Sequence, residues 1–230
     1  MRQKKILVVL MALVSLFPLN GTAQGLKLDV HTGANLAGFA SGNSYQVQDK
    51  EMKLGANLGL GISYETNKKF VYSTGIDFLL TGGSYTAMSD YISDKGGPTE
   101  AFPNVNSREI AIQIPVKIGY DFNLGKKWDF IPSIGAYGRY SMVAVKENVT
   151  ECVDGKSNPS FKWDSFSNYQ HNTNQLKAYN RWDVGALVEG KFVYANNYNV
   201  TVGYSRGFTN KSSQFNFKNH SYYLTLGYSF

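Results

Sequence analysis

The last ten residues of the chain, Ser221 to Phe230, constrain its fold more than any other segment. Apolar or aromatic side chains occupy every even position of this segment, and an aromatic residue stands at its end. Because successive side chains of a β-strand point to opposite faces, the pattern predicts a strand with one face in lipid and the other toward a polar interior. An open strand edge cannot lie in hydrocarbon, so we expect this strand to close a sheet on itself.

The same alternation occurs in seven earlier segments, always with the apolar side chains at even positions. The fourth segment is the clearest, because its isoleucine, valine and aromatic residues alternate with Glu109, Gln113, Lys117 and Asp121. A helix would scatter these apolar residues around its circumference. We therefore predict an all-β fold, a closed antiparallel up-and-down transmembrane β-barrel of about eight strands. The eight segments are residues 26–38, 54–64, 70–80, 110–122, 128–142, 182–194, 198–208 and 221–230.

A soluble β-sandwich with the even face as its core is the alternative to the barrel. Composition does not separate the two, because the residues of a membrane barrel also alternate between apolar and polar. The length of the segments favours the barrel, since their apolar face extends over ten or more residues, which is longer than a typical soluble strand.

The first 23 residues predict a cleavable signal peptide. Arg2, Lys4 and Lys5 precede an apolar run over residues 6–17, and the small residues at 21–23 suit a cleavage site after Ala23. The run is too short to cross a bilayer as a helix, although a retained N-terminal anchor is the alternative. We expect residues 24–230 to form one outer-membrane β-barrel domain.

The connections between the segments alternate between short and long. Short turns are predicted at residues 66–69, 123–127 and 195–197, and long loops at about 40–52, 83–106, 146–179 and 209–219. In the barrels of Gram-negative outer membranes the short turns face the periplasm. We therefore expect both chain termini to be periplasmic and the long loops to face outward, where recognition of a partner would have to occur.

Charged residues of both signs lie on the odd face, which is the predicted interior. An eight-stranded barrel is just wide enough for side chains to fill it, so we expect these charges to pair and plug the lumen. A narrow channel is the alternative. The predicted network consists of Glu109, Lys117, Asp121, Arg139, Glu189 and Lys191.

The longest predicted loop carries four aromatic residues among asparagine, serine and glutamine. This amphipathic mixture is typical of binding surfaces. The alternative is that the aromatic side chains fold back onto the rim of the barrel. The four residues are Phe161, Trp163, Phe166 and Tyr169.

The sequence indicates no catalytic, metal or cofactor site. His31 is predicted to point inward and His171 and His220 to lie in or beside outer loops, and no serine and acidic partner stands at a recognisable spacing. We expect a non-enzyme, with an enzyme that modifies lipids of the outer leaflet as the least favoured alternative. The formal charge of +6 includes three cations of the predicted signal peptide, so the mature chain is too weakly basic to predict nucleic-acid binding.

Arg206 is the one charged residue at a lipid-facing position of the predicted strands. Three interpretations stay open: contact with a lipopolysaccharide phosphate, extension of the side chain to the interface, or a change of face at a bulge. Other partners expected for a monomeric barrel are outer-membrane lipid and one unidentified surface or secretion partner.

Four motifs of the chain resemble the PorT-like outer-membrane β-barrel family. They are Asp29-Val30-His31-Thr32-Gly33-Ala34-Asn35-Leu36, Ile112-Gln113-Ile114-Pro115-Val116-Lys117, Tyr204-Ser205-Arg206-Gly207-Phe208-Thr209-Asn210 and Tyr228-Ser229-Phe230. The resemblance implies a small barrel in the outer membrane and an accessory role in a protein-secretion system. It also implies a C-terminal signal read by the insertion machinery, which would consist of Tyr222, Leu224, Leu226, Tyr228 and Phe230. From the residues themselves we expect a structural or surface-interaction role through the outer loops.

Overall fold

The structure is a computed structural model that describes residues 25–40, 47–92, 98–145, 148–153, 156–171 and 174–230. The predicted signal peptide, residues 1–23, lies outside these residues. In the described part of the chain, no α-helix combines the length and the apolar character needed to cross a bilayer.

The described elements are β-strands, eight of them long and seven short. In chain order they are β1 (Leu26–Ala40), β2 (Val47–Glu65), β3 (Phe70–Ile92), β4 (Pro98–Tyr120), β5 (Phe122–Asn123), β6 (Trp128–Ala144), β7 (Asn148–Thr150), β8 (Cys152–Val153), β9 (Lys156–Ser157), β10 (Phe161–Lys162), β11 (Tyr169–His171), β12 (Asn174–Leu176), β13 (Trp182–Tyr194), β14 (Tyr198–Gly207) and β15 (Lys218–Ser229).

The eight long strands form a closed ring. Each pairs antiparallel with its neighbours in the order β1, β2, β3, β4, β6, β13, β14 and β15. The ring closes because β15 also pairs with β1, over a register that runs from Asp29 opposite Ser229 to Ala40 opposite Lys218. The predicted fold class, an antiparallel up-and-down barrel of eight strands, is confirmed.

Side chains at even positions of the barrel strands face outward. Leu60 is 66% exposed and Leu226 60% exposed, whereas Asp29 and Thr225 at odd positions are buried. An apolar exterior of this kind is stable only against lipid. The alternation changes phase at Met142 of β6. Ile110 of β4 pairs with Val143, whereas the next residue, Ala111, pairs with Ser141, so Met142 is left as an extra residue. Val143, at an odd position, consequently faces outward.

The prediction of a loop over residues 83–106 is wrong, because β3 and β4 continue through most of this region as a long hairpin. Four apolar or aromatic residues of the extension, Tyr85, Ala87, Phe102 and Val105, are buried. Most of these residues are at odd positions, whereas the apolar residues of the lipid-spanning part are at even positions. A pattern of apolar even positions therefore does not identify the hairpin. The loop predicted at about 40–52 is likewise shorter, since β2 begins at Val47.

A hydrophobic core, here called the cap core, lies at the loop end of the barrel. It gathers residues from the ends of β1 to β4, from β7 and β12, and from the segments beside β10 and β15. Its members are Phe39, Val47, Tyr85, Ala87, Phe102, Val105, Val149, Trp163, Leu176, Tyr179, Phe215 and Phe217. The cap, meaning these residues and the described segments that carry them, lies over a polar lumen at the loop end of the barrel.

Candidate functional site

Two lysines of the predicted interior network form ion pairs in the lumen. Lys117 Nζ lies 2.7 Å from Glu189 Oε1, and the Tyr223 hydroxyl donates to Glu189 Oε2 over 2.9 Å. Lys191 Nζ lies 3.0 Å from Asp29 Oδ2. Glu189 and Asp29 are buried, so each pair compensates a carboxylate that would otherwise be costly to keep from water.

His31 bridges two carboxylates on the same wall. Its Nδ1 lies 2.9 Å from Asp29 Oδ1 and its Nε2 lies 3.0 Å from Asp77 Oδ1. Ionised carboxylates only accept hydrogen bonds, so the imidazolium form, in which both ring nitrogens donate, satisfies both contacts. His31 therefore belongs to the luminal charge network, although the predicted network does not include it.

Arg139 lies in the lumen as predicted, but its hydrogen bonds do not go to a carboxylate. Its Nε and Nη2 donate to the Gln113 amide oxygen over 3.1 and 2.7 Å, and its Cζ lies 5.0 Å from the centre of the Tyr137 ring. Residue Arg139 is only 3% exposed. The prediction that this charge pairs within the network needs correction, since its hydrogen-bond partner is neutral.

Asp121 is not a member of the luminal network. It follows the last residue of β4 at the turn end, where the nearest cationic group is Lys69 Nζ at 4.0 Å from its Oδ2. Burial, with the Asp129 and Glu65 carboxyls beside it, raises the pKa of Asp121 above its ordinary value. Alternation predicts the face to which a side chain points, but its height along the barrel depends on how far the strand extends.

Glu109 pairs with Lys211, which lies in the segment predicted as the outer loop over residues 209–219. Lys211 Nζ donates to both carboxylate oxygens of Glu109 over 2.8 and 2.7 Å and to Ser141 Oγ over 3.0 Å. The two side chains are 2% and 4% exposed. No motif identified this lysine, because a lone lysine in a polar loop is usually solvated. The pair joins the segment before β15 to β4, beneath the cap core.

The aromatic residues of the longest loop pack against the cap core. Trp163 is buried within it, and Phe161, Phe166 and Tyr169 pack around it. The Phe161 and Tyr169 rings stack with their centres 4.5 Å apart, and the Arg181 Cζ lies 4.0 Å from the centre of the Phe166 ring. Trp163 is buried, whereas Phe161, Phe166 and Tyr169 are half-buried against the core. The side chains thus fold back onto the rim, as in the alternative to an exposed binding surface, and three of the rings keep part of their surface accessible. Burial of the four rings removes apolar area from water.

A hydrogen bond to Glu151 holds the Tyr169 hydroxyl at the edge of this cluster. The hydroxyl donates to Glu151 Oε2 over 3.1 Å. Burial and the Glu151 carboxylate raise the pKa of Tyr169 to about 12. The phenol therefore stays neutral and keeps its donor at physiological pH.

A cavity of about 110 Å³ occupies the lumen below the cap. Gly25 and Asn196 line it at the turn end, and Gln113 and Arg139 line it toward the cap. Most of the residues that line it are polar or charged. The cap core lies over the loop end of this cavity.

The five residues of the predicted insertion signal are on the outer face of β15, toward lipid. Tyr222, Leu224, Leu226 and Phe230 are exposed and Tyr228 is half-buried. Arg206 is also exposed on the outer face, in β14 directly opposite His220, and no register shift interrupts β14 and β15 there. A change of face at a bulge is therefore excluded for Arg206. Among the described residues, no group of three histidine, cysteine or acidic side chains is placed to hold a metal ion.

The chain was compared with curated proteins and with solved structures. No curated protein sequence matches the chain. Among solved structures the chain is similar to the attachment invasion locus protein Ail of Yersinia pestis, with 13% identity, coverage of 90% of this chain and 99% of that one, and a TM-score of 0.40. It is also similar to Neisserial surface protein A, with 13% identity, 88% and 97% coverage and a TM-score of 0.40. A third is OprG of Pseudomonas aeruginosa, with 8% identity, 90% and 96% coverage and a TM-score of 0.39.

The family model of the outer membrane protein beta-barrel domain matches residues 6–230. The closed ring of strands and its apolar exterior are what such a domain requires in a bilayer. The compartment is accordingly the outer membrane of a Gram-negative bacterium. The chain belongs to the outer membrane protein beta-barrel domain family.

Proposed function

We propose that this protein is a non-conducting outer-membrane barrel with a structural or surface-interaction role, exerted through its folded cap. The observation that carries the proposal is the cap core. Phe217 at its centre is fully buried, with ring centres 4.5 Å from Phe39 and 5.1 Å from Tyr85. A buried hydrogen bond of 2.7 Å joins the hydroxyls of Tyr85 and Tyr179 in the same core. We expect this close packing of the described residues to hinder the passage of ions at the loop end.

The polar outer face of the cap is the surface we propose for interaction. Its aromatic side chains point inward, while Lys156, Lys162, Asp164, Asn168 and Lys177 are exposed. Rims of protein interfaces have this polar character. On this proposal the short turns and both termini face the periplasm, so that the cap is outside the cell.

The proposal treats the protein as a monomer in outer-membrane lipid, inserted through the C-terminal signal named above. The aromatic pair Tyr204 and Tyr222, with ring centres 4.8 Å apart, lies next to Arg206 toward the bilayer. Aromatic residues mark the interface of a membrane, so Arg206 reaches the level of lipid head groups. We expect it to contact a phosphate there, as in lipopolysaccharide.

The proposal includes no enzymatic activity. Of the histidines, His31 is held between two carboxylates, and His220 packs with its ring centre 6.4 Å from those of Tyr204 and Tyr222. Neither arrangement is a base positioned on a hydroxyl nucleophile.

Single-channel recording in planar bilayers tests the proposal directly. We expect the purified full-length protein to give no steady unit current at voltages where a general porin conducts, because the cap core and the paired luminal charges close the barrel. The porin in the same bilayer is the control for insertion conditions. Large, stable unit currents from the wild-type protein would refute the proposal.

The PorT-like resemblance supports a second candidate, an accessory role in a protein-secretion system. Crosslinking in intact outer membranes followed by purification of the protein separates the two candidates. Recovery of secretion components favours the accessory role, whereas recovery of the barrel without them favours the structural role. A variant with Lys156→Glu, Lys162→Glu and Lys177→Glu changes only exposed cap lysines, and we expect it to lose any partner that binds the cap.

A further inference from the structure

The charges that line the luminal cavity do not balance. Five cationic side chains line it when His31 is counted as imidazolium, against four carboxylates. Three of the cations pair within the lumen, since Lys117 contacts Glu189, Lys191 contacts Asp29, and His31 contacts both Asp29 and Asp77. Lys27 and Glu65 remain at the turn end with opposite charges. The surplus positive charge is therefore that of Arg139.

Arg139 is a buried cation whose hydrogen bonds go to a neutral amide. Asp183 stands directly opposite it on β13, but its carboxylate accepts from the Tyr137 hydroxyl over 3.2 Å and from Asn219 over 3.0 Å. Tyr137 thus contacts both groups, and Asp183 is not among the residues that line the cavity. A buried cation that makes no ion pair with a carboxylate is costly, so the free energy of the lumen falls when an anion occupies it.

We propose that the lumen binds one small oxyanion, a carboxylate or a phosphate group, at the Arg139 guanidinium. The planar guanidinium offers parallel N–H donors that match the oxygens of such groups. A cavity of about 110 Å³ holds several water molecules and so admits an ion of the size of acetate or phosphate. The anion enters from the turn end, past Lys27, and stops below the cap.

Calorimetric titration of the full-length protein in detergent micelles tests this site. Sodium acetate and inorganic phosphate are the probes, each exchanged against sodium chloride at constant ionic strength, so that the two titrations separate a carboxylate site from a phosphate site. We expect saturable binding of at least one probe. Arg139→Gln should weaken it about tenfold or more, because the charge-assisted hydrogen bonds are lost, and Arg139→Lys should weaken it less. Lys50→Gln, at an exposed position of β2 that does not line the cavity, is the matched control and should bind as the wild type does.

A second variant keeps Arg139 intact and fills the cavity instead. Gly61 lines the cavity, and a Cβ at this position would meet its nearest neighbours, Asp29 Cβ and the Thr74 carbonyl oxygen, at 3.5 Å. Gly61→Met is therefore accommodated at its Cβ while the rest of the side chain takes up luminal space. We expect it to lose binding of the probe even if Arg139→Gln fails to fold. The proposal is overturned if the wild type binds neither probe saturably, or if Gly61→Met or a folded Arg139→Gln binds as tightly as the wild type.

Discussion

Replacement of Lys211 by methionine is expected to lower the free energy of unfolding by about 3–5 kcal/mol, the usual cost of leaving one partner of a buried ion pair unpaired. Lys211 is the cation nearest to Glu109, and the pair is almost inaccessible to water. Methionine has a similar length but no charge, so the change removes three hydrogen bonds of the Nζ atom and little volume. Urea unfolding of the refolded barrel in lipid vesicles measures the loss.

Two further variants separate the ion pair from other effects of the Lys211 substitution. Lys177→Met changes an exposed lysine of the same cap and should alter stability by no more than about 0.5 kcal/mol. Glu109→Leu combined with Lys211→Met removes both charges and should recover much of the loss, because an apolar pair needs no compensation. Equal losses for Lys211→Met and Lys177→Met would show that the buried pair does not stabilise the protein.

The barrel could be predicted from sequence because its two faces meet different surroundings along the whole length of each strand. Ile110 to Ile118 illustrates this, since every even residue meets lipid and every odd residue meets the lumen. The same reasoning assigned Lys117 and Glu189 to the interior. It could not pair them, because the height of one strand relative to another is set by the register of the closed sheet and not by alternation. Asp121 shows the limit, since it has inward parity but lies at the turn end.

The cap could not be predicted in the same way, because its residues belong to segments without a common period. Trp163, Tyr179 and Phe217 come from three separate parts of the chain and meet only above the closed barrel. In loops, aromatic residues are compatible both with an exposed surface and with a buried cluster, and alternation does not decide between them. Lys211 was still harder to predict from sequence. A buried lysine needs partners for its charge, and its partners Glu109 and Ser141 lie far away in the sequence.

Replacement of Phe217 by alanine is expected to lower the stability of the cap by about 3–5 kcal/mol, the range measured for removing a fully buried phenylalanine from a core. The barrel itself should persist, because most of the pairing of β15 with β1 and β14, from Asp29 opposite Ser229 onward, lies below the cap core. The expected result is therefore a barrel that still shifts its electrophoretic mobility on heating, while limited proteolysis cleaves the cap more rapidly than in the wild type.

Phe208→Ala is the matched control, because Phe208 stands at the other end of the same loop but is 59% exposed on the outer face. Equal rates of cap cleavage in the two variants would contradict a cap stabilised by its aromatic core, whereas rapid cleavage only in Phe217→Ala would show that the cap is a packed unit that can open while the barrel stays closed in the membrane.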